Sequence, residues 1–297
     1  MKVLIAYDGS ESAKASISDL SRAGLPGGAE AIVVTAADIL PGLLEKNAGS
    51  EPDPGPIIRA RAEASRAMTE ATEISSKGAE QVRSLFPGWN VLSEAIADSP
   101  WWAFIHRANA LGSDMIVVGS RGRSTLQAVI LGSVSQNVLH YASCSVRVGR
   151  GSRREKSGSP VRILIAVDGS SNAAAAVSVV ASRSWPAGSE ARIVTAAHGQ
   201  TLPLLFDAET KDHQLSPAIE TMAGQLRRAG LSVTTVVRQE DPKHLIISEA
   251  EQWPADCIFV GARGLSRIER IMLGSVSGAV AARAHCSVEV IRVAAPR

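Results

Sequence analysis

The residues best suited to chemistry lie in Gly119-Ser-Arg-Gly122, followed after nine residues by Gly132-Ser133-Val134-Ser135. The same spacing returns in Gly261-Ala-Arg-Gly264, nine residues, then Gly274-Ser275-Val276-Ser277. Glycines let a backbone turn sharply and approach a ligand closely. Free N–H groups where a helix begins attract anions, phosphate above all. The chemistry implied is phosphate cradling. Three spaced glycines seen once are weak evidence; two copies with identical spacing and matching flanks are much stronger.

The flanks say which elements must hold these loops. Each copy follows an apolar run, Met115-Ile-Val-Val118 or Cys257-Ile-Phe-Val260. Each then opens an apolar pattern of helical period: Val134, Val138, Ala142, and again Val276, Val280, Ala284. The loop therefore leaves a buried strand and feeds a helix. A second loop is also duplicated: Val3-Leu-Ile-Ala-Tyr-Asp8-Gly9-Ser10 returns 160 residues later as Ile163-Leu-Ile-Ala-Val-Asp168-Gly169-Ser170. From Pro100 and Pro242 onward the offset is 142, so the first half carries 18 extra residues between about Asp38 and Val91. The Pro/Gly-rich stretch around 41–60 is the expected place for them, as a surface loop.

Each half reads as alternating strands and helices. Strands are expected near 2–7, 31–36, 90–96, 114–118 and 145–149, then near 161–167, 191–196, 232–238, 256–260 and 287–293. Apolar positions Ala13, Ile17 and Leu20, mirrored by Ala173, Val177 and Val180, mark the first helix of each half, with Ser10 and Ser170 as N-caps. Near-continuous apolar strands between helices predict an α/β fold with parallel sheets covered on both faces. Length alone favours two domains, here 1–149 and 161–297, joined by a polar, basic linker at 150–160.

In such a sheet, ligands sit beyond the carboxyl ends of the strands, where chain order reverses. If strands one and four flank that point, the Asp8 (Asp168) loop and the glycine loop face one crevice. An acidic side chain there accepts a ribose hydroxyl while the glycine loop and Ser133 or Ser275 hold phosphates. Asp8-Gly9-Ser10 is equally readable as a turn and helix cap; its recurrence beside a recurring glycine loop favours the ligand.

At these residues both halves resemble universal stress protein domains, whose nucleotide-binding members carry G-x2-G-x9-G-[ST] after strand four. The likeness extends to Asp8-Gly9-Ser10 and to Ala142-Ser-Cys144-Ser-Val146, and it spans nearly all of the chain apart from the linker and 41–60. Serine stands at 145 and 287 where that family usually has proline. The resemblance implies two doubly wound, Rossmann-like five-stranded sheets ordered 3-2-1-4-5, with ATP across strands one and four. It implies ribose contact at Asp8 and Asp168 and an adenine border at the backbone of Ala36 and Ala196. Phosphates would be lined by Gly119, Gly122, Gly132, Ser133, Val134 and Ser135 in one site. In the other they would be lined by Gly261, Gly264, Gly274, Ser275, Val276 and Ser277. His198 replaces Asp38 near the adenine end of the second site. Single-domain members pair through their last strands, so an internal pseudo-dimer is expected here; assembly beyond that is left open.

Other features bound the function. Net charge of +2 implies neither nucleic acid nor an anionic membrane, and no apolar run approaches the ~20 residues of a membrane span. The chain enters a strand at once, with no secretory signal before it, which makes the cytoplasm the expected compartment. Cys144, Cys257 and Cys286 are too few and scattered for a disulfide framework, and six histidines show no metal-ligand spacing. No Gly-x4-Gly-Lys-Ser/Thr places a lysine on phosphates. Arg121 and Arg263 offer charge or are solvated. Glu269, opposite Gln127, is the only carboxylate in either nine-residue segment, so a symmetrical general base is missing. Asp8 and Asp168 leave room for Mg²⁺ brought with ATP. Trp101-Trp102 open a helix and are expected to pack. The function expected is an ATP-binding stress-response regulator that signals its bound state to an unidentified protein. The alternatives are a slow ATPase or phosphotransferase, a nucleic-acid-associated protein using the linker, and a scaffold with vestigial pockets.

Overall fold

The computed structural model describes residues 1–44, 55–122, 131–151, 158–197, 217–264 and 273–293. The first half supplies strands β1 (Lys2–Ala6), β2 (Glu30–Ala37), β3 (Asn90–Ala97), β4 (Met115–Gly119) and β5 (Ser145–Gly149). The second supplies β6 (Arg162–Ala166), β7 (Glu190–Ala196), β8 (Ser232–Arg238), β9 (Cys257–Gly261) and β10 (Ser287–Ile291). All ten lie where the apolar runs place them, within two residues at either end. Their order across the sheet is β3-β2-β1-β4-β5-β10-β9-β6-β7-β8.

Each half therefore has the order 3-2-1-4-5 with parallel neighbours, and the two five-stranded sheets are fused into one. The fusion is an antiparallel pairing of β5 with β10, Val146, Arg147 and Val148 standing opposite Val290, Glu289 and Val288. Unpaired strand edges invite association with other chains. Pairing two such edges within the chain leaves β3 and β8 as the outer edges of the sheet.

The helices among the described residues are α1 (Glu11–Asp19), α2 (Gly55–Leu85), α3 (Pro100–Leu111), α4 (Ser133–Tyr141), α5 (Ser171–Ala181), α6 (Pro217–Arg228), α7 (Pro242–Gln252) and α8 (Ser275–Arg283). Ser10 and Ser170 cap α1 and α5 as expected, each hydroxyl accepting from the N–H three residues on, Ala13 or Ala173. One part of the loop expected at 41–60 is helical instead. Pro41–Leu43 form a single 3₁₀ turn, residues 45–54 lie outside the described residues, and Gly55 begins α2, which runs for 31 residues. Proline is tolerated in the first turn of a helix, so Pro56 starts α2 and does not break it. The alanine-, glutamate- and arginine-rich run that follows has high helix propensity.

Among the described residues, three apolar cores fill the layers. The faces of the sheet under α1 and α2, and under α5 and α6, bury separate clusters, built around Ile5, Ile17 and Val82 in the first half and Ile165, Val177 and Leu226 in the second. The opposite face, under α3, α4, α7 and α8, buries one cluster shared by both halves, from Leu4 and Phe104 through Val146 and Val288 to Leu245 and Ile258. Trp101 packs against this shared core, as its position predicts, while Trp102 stays 43% exposed beside His106. Among the described residues no helix is long and apolar enough to cross a membrane.

Candidate functional site

Strands β1 and β4 are bonded neighbours, Val3, Leu4 and Ile5 pairing with Met115, Ile116 and Val117; β6 and β9 pair in the same way. Chain order reverses between them, so the loops that leave β1 and β4 share one crevice at their carboxyl ends. In the first half that crevice is a cavity of about 160 Å³ lined by Asp8, Ala36 and the glycine loop residues Gly119, Gly122 and Gly132 to Ser135. In the second half Asp168, Ala196, Gly261, Gly264 and Gly274 to Ser277 line a cavity of about 310 Å³. Arg121 and Arg263 lie on the same walls. The structure thus gathers each set of candidate residues around one space. His198, Gln127 and Glu269, and the linker residues 152–157, lie outside the described residues.

The glycines do different things. Gly9 and Gly169 take positive φ, 78° and 82°, and let the chain turn off β1 and β6. A Cβ on Gly119 would stand 2.9 Å from the Ser12 hydroxyl and 3.0 Å from the Ser12 backbone, and one on Gly261 would stand 2.7 Å from Asn172. These two therefore serve the close packing of α1 on β4 and of α5 on β9 as well as bordering the cavity. Gly122 and Gly264 face the acids: a Cβ on Gly122 would come 3.3 Å from the Asp8 carboxylate, and one on Gly264 would collide with that of Asp168. Gly132 and Gly274 close the excursion, their N–H groups donating to the carbonyls of Ser120 and Ala262 at 3.0 and 2.8 Å. They also occupy the N-cap positions of α4 and α8, where no side chain caps the helix.

That last point sets the electrostatics. A helix N-terminus carries unpaired N–H groups and the positive end of the helix dipole. With glycine as cap, the first turn of α4, and likewise that of α8, opens on the cavity. Ser135 and Ser277 add shape: their hydroxyls donate to the carbonyls of Gly119 and Gly261 at 2.7 and 2.5 Å, which ties the helix start to the strand end. Both residues border their cavities, while their hydroxyls serve the fold. Asp8 and Asp168 likewise have two uses. One oxygen of each accepts from the N–H of Ser10 or Ser170, at 2.9 and 3.0 Å, making the turn that precedes the cap. The carboxylates still line the cavities, so the turn and the site are one construction.

Sequence reasoning missed two lining pairs. Pro100 and Phe104 on α3, and Pro242 and Ile246 on α7, close the apolar side of the crevices. The available signal was the matched prolines, which fix where each helix starts and hence which residue one turn later faces the strand ends. Cys144 and Cys286 are not part of either site; burial pushes their thiols up to about 11 and about 12, which keeps them protonated at neutral pH.

The model of the Universal stress protein family matches residues 1–150 and 161–292. The chain belongs to this family. It is 32% identical over 188 residues to a universal stress protein of Mycolicibacterium smegmatis, a match covering 61% of this chain and 62% of that one. A universal stress protein of Mycobacterium tuberculosis is 29% identical over 213 residues, 68% of this chain and 69% of its own length. The matched stretch is thus about two thirds of each relative's length. In three dimensions the chain resembles a universal stress protein from Archaeoglobus fulgidus, with a TM-score of 0.64 at 20% identity over 98% of this chain and 96% of that one. That likeness is one of fold. Among the described residues no group of three or more His, Cys, Asp or Glu is placed to hold a metal ion.

Proposed function

We propose that this universal stress protein binds ATP or a related adenine nucleotide in each half, at the carboxyl ends of β1 and β4 and of β6 and β9. The observation that carries the reading is the twinned crevice, in which a carboxylate, a glycine cradle and an uncapped helix start converge on one space. The cradle suits a phosphate chain because glycines let the backbone approach a ligand closely and the glycine-capped helix starts offer N–H groups to an anion. Backbone N–H groups of Ser133, Val134 and Ser135, and of Ser275, Val276 and Ser277, would meet phosphate oxygens. Asp8 and Asp168 would take ribose hydroxyls, and Ala36 and Ala196 would border the base. Mg²⁺, where present, would arrive with the phosphates and keep mostly water and phosphate ligands.

The protein acts in this reading by its bound state. Holding the glycine loop against a nucleotide changes a surface that a partner protein reads, in the cytoplasm. Freshly purified protein should release an adenine nucleotide on denaturation, identified by mass spectrometry. Added ATP should raise the melting temperature, because a ligand that binds only the folded state stabilises it. Protein that carries no nucleotide and whose melting temperature ATP does not move would overturn the reading.

A further inference from the structure

Helices α3 and α7 meet the two crevices differently. Resting on the nucleotide reading above, we propose that the second crevice is the tight purine-nucleotide site and that Phe104 makes the first a weaker one, so the two fill at different nucleotide concentrations. At the phosphate end they are near copies, glycine for glycine and serine for serine. The cavities nevertheless measure about 310 Å³ in the second half and about 160 Å³ in the first. The difference lies at the apolar end. Ile246 on α7 leaves a space that reaches Val194, two residues below Ala196 on the same face of β7. In the first half Phe104 stands at the equivalent place, and the equivalent floor residue, Val34, does not border the cavity. Phe104 is 5% exposed and shares its apolar cluster with Ala6, Val34 and Val118. Its ring is thus packed among apolar neighbours at the cavity wall. Tyr7, opposite Val167, does not explain the difference, since its ring packs toward Gly78 and the core under α2.

A narrower pocket discriminates by size, and in an apolar pocket one methylene more or less separates ligands by roughly ten- to two-hundredfold. The phosphate end, unchanged, gives both sites the same selectivity for charge. The first site therefore penalises the base and not the phosphates, and a pyrimidine suffers less there than a purine.

Isothermal titration of the full chain with ATP tests this. The expected result is two classes of site separated by about tenfold or more, with a smaller separation for CTP. Phe104→Ile should narrow the gap by strengthening the weak class. Ile246→Phe should weaken the tight class by a similar factor, and circular dichroism and thermal melts should show both variants folded. Two equal ATP sites in the unaltered protein would overturn the proposal, as would a gap that neither substitution moves; both results would leave the nucleotide reading standing. Absence of any ATP binding would remove the nucleotide reading, and this proposal with it.

Discussion

At the carboxyl ends of the strands the two halves carry the same residues at matched positions: Asp8 and Asp168, Gly122 and Gly264, Gly132 and Gly274. Along the seam between them, matched positions carry opposite charges, Arg147 on β5 and Glu289 on β10, paired directly across the antiparallel ladder. The valines that flank each of these point to the shared core. Arg147 and Glu289 point to the other face, where the two halves bury separate cores and an ionic cluster stands between them. Arg147 holds Asp19 of α1 at 2.8 Å and Glu289 at 3.0 Å, and Glu289 is gripped from the other side by Arg183. All four side chains are buried. A second ion pair, Arg22 with Asp256 at 3.1 Å, also crosses between the halves.

The contrast separates two kinds of constraint. Sites built for one ligand chemistry keep the same groups in both copies. A seam need not stay symmetrical, and here its asymmetry has a consequence. The Arg147–Glu289 pair lies where the halves are related by pseudo-twofold symmetry, so pairing two first halves would bury Arg147 against Arg147, and pairing two second halves would bury Glu289 against Glu289. Like charges in a buried seam disfavour both pairings. The seam selects its partner from within the chain.

The largest effect should follow from breaking that selection. Arg147→Ala leaves the Asp19 carboxylate, 3% exposed, without its cation. Removing one member of a buried charge pair costs about 3–5 kcal/mol, read as a lower midpoint in urea unfolding. Exchanging the charges, Arg147→Glu with Glu289→Arg, should not rescue it, because the carboxylate brought to position 147 meets Asp19 and the guanidinium brought to position 289 meets Arg183. Full rescue by the exchange would show that the ladder pair alone matters and the wider cluster does not. Acid should probe the same cluster. Burial disfavours a charged Glu289, but Arg183 and Arg147 outweigh it and hold its carboxyl below the ordinary 4.5. A carboxyl depressed in the folded state contributes stability that is complete above its unfolded value and lost as pH falls through the folded one. Stability measured by urea unfolding should thus hold above about pH 4.5 and decline below it, and Glu289→Gln should flatten that decline.

The crevices should respond in the opposite sense, losing ligand with little loss of fold. Gly264→Ala drives a methyl into the Asp168 carboxylate, whereas Gly122→Ala meets Asp8 at 3.3 Å, a contact that a small shift relieves. ATP binding at the second crevice should weaken by about tenfold, or roughly 1.4 kcal/mol, in the first variant, and binding at the first crevice should weaken far less in the second variant. Gly261→Ala should instead lower the melting temperature, since its clash is with Asn172 of α5. An equal loss of stability in all three would erase the distinction between cradle and packing glycines.

Much of this was legible in the sequence because it repeats. Apolar runs locate all ten strands, the matched Asp-Gly-Ser and glycine loops locate the crevices, and the family resemblance supplies the internal pairing of the last strands, which covers two sheet edges. What stayed hidden depends on contacts between distant segments. Nothing local distinguishes Gly119, which packs against Ser12, from Gly122, which faces Asp8. Nothing in Val-Arg-Val or Val-Glu-Val announces that Arg147 and Glu289 are buried; the β5–β10 pairing, with Asp19 and Arg183, buries them. Phe104 and Ile246 both look like ordinary helix core. The loop expected at 41–60 rests on its prolines and glycines, yet a proline in a first turn starts a helix as readily as it ends one.

The smallest effect sharpens the line between seam and tether. Composition assigns residue 150 to a solvated linker, but the Arg150 guanidinium donates to the carbonyls of Ala281 and Cys286, at 2.6 and 3.2 Å, across the seam. Arg292, its match in the second half, reaches Leu139 and Cys144 in the same way. Ala281 and Leu139 lie in the last turns of α8 and α4, where unpaired carbonyls and the negative end of the dipole favour a cation. Here, unlike at Arg147 and Glu289, the seam is symmetrical, because both helix ends pose the same electrostatic problem. Arg150→Met and Arg292→Met keep the stem and remove the charge, so each should cost about 1 kcal/mol in urea unfolding, and the two costs should match. No change for Arg150 beside a measurable one for Arg292 would return residue 150 to the linker and leave the symmetry to one side of the seam.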